Sequence, residues 1–163
     1  MIKKLLCAAT LFTSSFAAAD VHFSPDLKMG LQWGIGAQLG VQDVMGFEAV
    51  YGSFGISDSH WFSDKESIKH YRVGVQYEEK KYQAYSVQME AGLAEYKGSR
   101  NYYGRDREDL KAYGPSVAAA LVFDYNLPIK IRYGLELNYF RHQETYLPSG
   151  LSPQINVGVI LPL

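Results

Sequence analysis

The stretch from Leu27 to Val41, L-K-M-G-L-Q-W-G-I-G-A-Q-L-G-V, places an apolar residue at every odd position and a polar residue or glycine at every even one. A period of two is the signature of a strand, here with one oily face and one that is wet or narrow. Read as a single strand it runs for fifteen residues, whereas strands of soluble domains average about 5–6. A tilted strand crosses a bilayer in about 9–11 residues. The stretch therefore points to a long-stranded β-architecture and leaves open what each face meets.

The same period recurs along the chain. A second strand carries Met45, Phe47, Ala49 and Tyr51 on its apolar face, against Gly46, Glu48, Val50 and Gly52. A third opposes Tyr71, Val73, Val75 and Tyr77 to His70, Arg72, Gly74 and Gln76. A fourth opposes Tyr85 through Leu93 to Ser86 through Gly92. The fifth runs from Tyr113 to Tyr125, the sixth from Ile129 to Tyr139, and the last from Gln154 to Leu163. Short connections at 42–44, 79–81 and 126–128 alternate with long ones at 56–67, 96–111 and 145–151, so the chain is expected to run up and down with all long loops at one end.

Two architectures use such strands: a soluble sandwich or barrel with an apolar inside, and a membrane barrel with an apolar outside. The minor face separates them. A solvated face would carry lysine, glutamate, serine and threonine freely, but here it is crowded with glycine and alanine, which suit a narrow barrel interior. The apolar faces carry no Lys, Arg, Asp or Glu, as a lipid-facing surface requires, since Lys or Arg at the bilayer midplane costs about 2–4 kcal/mol. The thirteen tyrosines add a second signal. Tyr51, Tyr71, Tyr113 and Tyr139 fall near the long loops, and Tyr77 and Tyr125 near the short turns, as two interfacial belts would. The expected fold is all-β, a transmembrane antiparallel up-and-down β-barrel.

The N-terminus fits export. Lys3 and Lys4 precede an apolar run that ends on small residues, with Ala17 and Ala19 at the positions a signal peptidase reads, so residues 1–19 are expected to be a signal peptide cleaved before Asp20 and 20–163 one barrel domain. The only cysteine, Cys7, lies in that segment, which leaves the exported chain without disulfides. Export removes two of the 16 basic residues against 17 acidic ones, a net charge of −3. That balance gives no basic surface for nucleic acid.

With these features the chain resembles the small bacterial outer-membrane β-barrels of the OmpA and OmpX type along its whole exported length. The resemblance implies an even number of strands, short periplasmic turns, long extracellular loops, and lipid, lipopolysaccharide and the barrel assembly machinery as partners. Two features depart from it. The chain ends Leu161-Pro162-Leu163 in place of an aromatic residue, and seven strands are evident. The eighth is expected in Asp20 to Ser24, before a turn at Pro25-Asp26.

The inward positions collect charges: Lys28, Arg72, Lys130 and Arg132 against Glu48, Glu78, Glu90, Asp124 and Glu136, with His70 among them. Buried charges must be paired, so a salt-bridged plug is expected in preference to a narrow or gated pore. Extrapolation through the short turns sets Asp124 opposite Lys130, His70 opposite Glu90, and Gln38 opposite Glu48. The longest loop and its rim supply Arg100, Arg105, Arg107, Lys111 and Arg141, whose cations suit the phosphates of lipopolysaccharide. A solvated charged loop is the plainer alternative.

A catalytic alternative rests on a second, partial resemblance. Lipid A deacylases of the PagL type carry a His followed two residues later by a Ser in a late strand, with an acidic partner. Here Y-F-R-H-Q-E-T-Y-L-P-S supplies His142, but Glu144 takes the serine position and Ser149 lies farther on. A nucleophile must lie within hydrogen-bond reach of its base, and this spacing gives none. The four histidines show no ligand spacing for a metal, and no cofactor is implied.

Overall fold

The alternation from Leu27 to Val41 belongs to two strands that meet at a bend. In a computed structural model that describes residues 20–61, 64–78, 85–100, 108–125 and 127–162, the chain rises through β1 (Val21–Gly30), bends at Leu31 and Gln32, and descends through β2 (Trp33–Val44). Leu27 pairs with Ile35 and Lys28 with Gly34. The eighth strand expected in Asp20–Ser24 is thus the first half of the opening stretch, and Pro25-Asp26 lies inside β1 with no turn. The bend was hidden for a geometric reason. The β1–β2 register pairs odd residues with odd ones, and paired residues share a face, so the alternation passes through the bend unbroken.

Six strands complete the fold: β3 (Phe47–Trp61), β4 (Asp64–Glu78), β5 (Tyr85–Arg100), β6 (Glu108–Phe123), β7 (Lys130–Tyr139) and β8 (Leu151–Pro162). Each pairs antiparallel with its neighbours in sequence, and β8 pairs with β1, closing an up-and-down barrel with no free sheet edge through its midsection. The proposed signal peptide lies outside the described residues.

Lipid-type side chains cover the outside. Leu135 is 66% exposed and Trp33 70%, alongside Leu27, Ile35, Leu39, Val73, Met89 and Ile155. Trp33, Phe54, Tyr71, Tyr113 and Tyr139 ring this band toward the loop end, and Phe47, Tyr77, Tyr85 and Tyr125 toward the turn end. The expected facing holds for β1, β2 and β4 to β8.

It fails in β3. Met45 and Gly46 form a tight turn with φ of 53° and 86° between paired Val44 and Phe47. Such a two-residue turn, of the kind typical in hairpins, pairs odd residues with even ones, so Val41 lies opposite Val50, where the sequence reading set it opposite 45. The face inverts: Ala49, Tyr51, Ser53, Gly55 and Ser57 point inward, and Val50, Phe54 and Ile56 outward. Tyr51, expected in the outer belt, is 3% exposed, and Gln38 lies opposite Ser53 rather than Glu48.

Two further expectations change. The segment 56–67 is not an open loop, because β3 and β4 stay paired up to Trp61 and Asp64. Likewise β5 and β6 continue to Arg100 and Glu108. The β4–β5 register sets His70 opposite Ala94 and Glu90 opposite Gly74, so His70 and Glu90 are not partners. The β6–β7 register, with Phe123 opposite Ile131, is the one expected. Strands β3 to β6, of 15 or 16 residues, outreach the 10 or 12 of the others, and this wall projects at the loop end. There β6 is paired with β5 along its whole length but with β7 only from Ser116 onward.

Candidate functional site

The charged part of the barrel interior is built from the even residues of β1, β4, β5 and β7, while β2, β6 and β8 add even residues such as Gln38, Ser116 and Asn156 and β3 adds odd ones such as Tyr51. At the centre six charged side chains form a closed ring. Lys28 contacts Asp26 at 3.0 Å and Glu136 at 2.9 Å. Arg72 contacts Glu136 at 2.5 Å and Glu90 at 3.1 Å. Arg132 reaches Glu90 at 3.4 Å and closes the ring on Asp26. Each acid thus touches two bases and each base two acids, and the ring is formally neutral. Glu90 also accepts hydrogen bonds from Gln38 and Ser53, both at 2.6 Å. Charges taken out of water stay ionised only when paired and hydrogen-bonded in this way.

Asp26 is the ring member that sequence reasoning missed. Pro25-Asp26 has the look of a turn, but Asp26 shares its parity with His22, Ser24 and Lys28, and that alternation was the available signal. Gly36 and Gly55 make room for the ring: a Cβ at Gly36 would lie 2.7 Å from both Asp26 Oδ1 and Lys28 Cε, and one at Gly55 would press on Lys28 and His70. His70 is buried beside the ring.

Toward the turn end, Gln88 donates to Gln76 at 2.6 Å, and Lys130 pairs with Glu48 at 2.7 Å at the mouth. Asp124, expected inside, is exposed at that rim, next to the Lys130 mouth. Toward the loop end the filling changes character. Ile68, Ala94, Tyr96, Ala112, Phe140 and Leu147 form an apolar cluster, with the Tyr96 and Phe140 rings 5.6 Å apart. Segment 140–150 folds into the mouth, held by Phe140 N–H donating to the Gly150 carbonyl at 2.8 Å and Tyr146 N–H donating to the Tyr96 hydroxyl at 3.2 Å.

The rim candidates separate into distinct surroundings. Arg100 reaches Glu66 at 3.4 Å and stacks over Tyr146 at 4.3 Å. Arg141, its side chain 82% exposed, touches Glu144 at 3.7 Å. Lys111 pairs with Glu95 at 3.1 Å on the outer face of the projecting wall, and Lys97 joins the same carboxylate at 3.3 Å. The hydrogen bond from Lys111, together with Lys97, holds the Glu95 carboxyl below its ordinary value. Arg105 and Arg107 lie outside the described residues.

The catalytic candidates are not assembled. His142 and Glu144 sit in a short 3-10 turn, and His142 Nδ1 meets the Leu147 carbonyl at 3.0 Å. Glu144 turns to Arg141, and Ser149 is exposed farther along the segment. Among the described residues no group of histidines and carboxylates is arranged to hold a metal.

A closed eight-stranded antiparallel barrel with an apolar exterior, aromatic girdles and a salt-bridged interior is a barrel of the outer-membrane type. No protein-family model matches the sequence, and no curated protein matches it. Solved structures do match in fold. The outer membrane protein Ail of Yersinia pestis superposes with a TM-score of 0.67 at 11% identity, over 89% of this chain and 99% of that one. A major outer membrane protein of Thermus thermophilus gives 0.67 at 9% identity, over 90% and 100%. The N-terminal β-barrel domain of Pseudomonas aeruginosa OprF gives 0.63 at 11% identity, over 88% and 97%. At such identities the likeness is one of fold.

Proposed function

We propose that the chain is exported by a cleaved signal peptide to the bacterial outer membrane, where it serves as a non-conducting barrel whose loop-end rim contacts lipopolysaccharide. The observation that carries this reading is the closed ionic ring: with the interior occupied by paired side chains, the outer surface and rim are what remain for contact with other molecules. The short turns face the periplasm in this orientation and the projecting wall faces outward. A second reading, an external protein partner, is favoured by the edge of β6 between Leu110 and Tyr113, which among the described residues has no β7 ladder pairing and offers a place for strand addition.

The test combines conductance with lipid dependence. Purified protein in liposomes should give no steady single-channel current, and lipopolysaccharide should raise its unfolding temperature. Replacing Arg100, Arg105, Arg107, Lys111 and Arg141 together by glutamine should remove that rise. Steady currents would defeat the non-conducting reading, and an undiminished rise in the variant would defeat the rim contact. A fatty acid released from lipid A by the wild type but not by His142→Ala would replace this reading with an enzymatic one.

A further inference from the structure

The outer face of the projecting wall carries a charge arrangement that its own residues leave uncompensated. In β4, β5 and β6 the girdle residues Tyr71, Leu93 and Tyr113 are outward, and the next outward positions away from the lipid band are Lys69, Glu95 and Lys111, with Lys97 one step beyond Glu95. Glu95 lies opposite Lys69 on one side and Tyr113 on the other, while Lys97 lies directly opposite Lys111. Like charges facing each other across a ladder are destabilising. Here both ammonium groups converge on one oxygen, Glu95 Oε1, at 3.3 and 3.1 Å, and their side chains remain 55% and 51% exposed. Two lysines therefore share one carboxylate at the upper boundary of an apolar band, with Lys69 at the cross-strand position beside it. A cleft of about 450 Å³ opens beside them, lined in part by Lys65, Ser67, Lys97 and Lys111. Asp58, also on its wall, stands level with Lys97 and Lys111 across Ser67, Asp109 stands a step farther from the girdle, and Glu66 is paired with Arg100. In the two outward rows next to the girdle, Lys69, Lys97 and Lys111 therefore exceed Glu95 and Asp58 by one positive charge.

We propose that Lys69, Lys97 and Lys111, gathered around Glu95, form a seat for a phosphate of the phosphorylated glycolipid of the outer leaflet, lipid A, whose acyl chains run down over Tyr71, Leu93 and Tyr113. The proposal rests on the outer-membrane reading above and gives its lipid contact a place. A phosphate supplies the second anion that the Lys97–Lys111 pair lacks, through charge-assisted hydrogen bonds. The adjoining apolar girdle is continuous with the lipid-facing band, which favours a membrane lipid over a soluble anion as the occupant. Glu95 acts as an internal competitor that holds the two ammonium groups together when the seat is empty of lipid.

The test uses the full exported chain in phosphatidylcholine vesicles, with bisphosphorylated or dephosphorylated lipid A added and binding read by native mass spectrometry. The wild type should retain the bisphosphorylated form about tenfold more strongly than the dephosphorylated one, as two exposed charge contacts allow. Lys69→Gln with Lys97→Gln and Lys111→Gln should lose that preference while keeping heat-modifiable gel mobility, the mark of a folded barrel. Glu95→Gln should move the other way and raise affinity several-fold by freeing both ammonium groups. Unchanged preference in the triple variant, or weakened binding in Glu95→Gln, would overturn the seat. Equal retention of phosphatidylglycerol would overturn the assignment to lipid A, and displacement by millimolar inorganic phosphate would overturn a lipid source altogether. Failure of the wild type to insert into vesicles would instead remove the outer-membrane reading itself.

Discussion

The barrel holds two fillings stacked on one axis, and they solve the problem of a narrow interior in opposite ways. At mid-height the ring of Asp26, Lys28, Arg72, Glu90, Arg132 and Glu136 is wholly ionic. At the loop end Ile68, Tyr96, Phe140 and Leu147 are apolar, and one face of that cluster comes from a connecting segment, not from strands. The ionic ring is closed by long-range pairing, with Lys28 and Glu136 separated by 108 residues, so it ties β1, β4, β5 and β7 to one another. It specifies how the sheet closes, because any shift in register would leave a buried charge unpaired. The apolar cluster is non-directional and tolerates adjustment. It shields the upper face of the ring from external water, which strengthens the charges beneath.

The two fillings should therefore respond differently to single deletions. Glu136→Met leaves Lys28 and Arg72 each with one partner and a net buried positive charge. It should cost about 3–5 kcal/mol in urea unfolding of the protein in lipid vesicles, and adding Arg72→Met should recover much of the loss because the remaining ring is neutral. If the double variant is no more stable than the single one, neutrality is not what the ring supplies. Leu147→Ala should cost less, about 2–3 kcal/mol, near the low end for a buried leucine because segment 140–150 can settle into the space. Neither variant alone should conduct, since the other filling still closes the axis, and a current from Leu147→Ala would mean that the apolar cluster is the only seal.

The same contrast explains what was legible in the sequence. The ionic ring was readable in large part because a strand's parity is absolute: once one inward residue is known, Arg72, Glu90, Arg132 and Glu136 follow along their own strands. Parity carries no information about where one strand ends or how two strands register. It therefore could not reveal the bend at Leu31-Gln32, nor the inversion in β3 that sends Tyr51 inward, because a turn that pairs odd with even residues flips the face and one that pairs odd with odd does not. Ser53, Gly55 and Ser57 alternating with Phe54 and Ile56 carried the corrective signal. The apolar cluster was not legible at all. Phe140 and Leu147 lie on a connection with no period, and only the folded chain brings them over Tyr96.

Smaller changes sharpen the boundary between inside and outside. Gly36→Ala places a methyl 2.7 Å from Asp26 Oδ1 and Lys28 Cε, and overpacking of this kind costs about 1–3 kcal/mol. Gly52, on the outward face of β3, meets nothing nearer than the Arg72 carbonyl at 4.0 Å, so Gly52→Ala should be almost silent in the same urea titration. Equal costs at the two positions would mean that the facing of β2 or β3 has been inverted.

The smallest effect lies outside the barrel altogether, where a charge pair is wet. Hydrogen bonding from Lys111, with Lys97 beside it, lowers the Glu95 carboxyl from its ordinary value of 4.5. A carboxyl depressed in the folded state binds protons less readily than in the unfolded chain, so its contribution is present above pH 4.5 and is lost as pH falls through the depressed value. The two lysines are about half exposed and Glu95 is partly so, so salt should screen the contribution. The measurement is the difference in urea midpoint between wild type and Glu95→Gln, followed downward from about pH 5 in vesicles without lipid A, so that whatever the two proteins share cancels. The difference should shrink on acidification and be smaller still in high salt. A difference that grew in acid, or that ignored salt, would place Glu95 in a buried network like the ring instead of on a wetted surface.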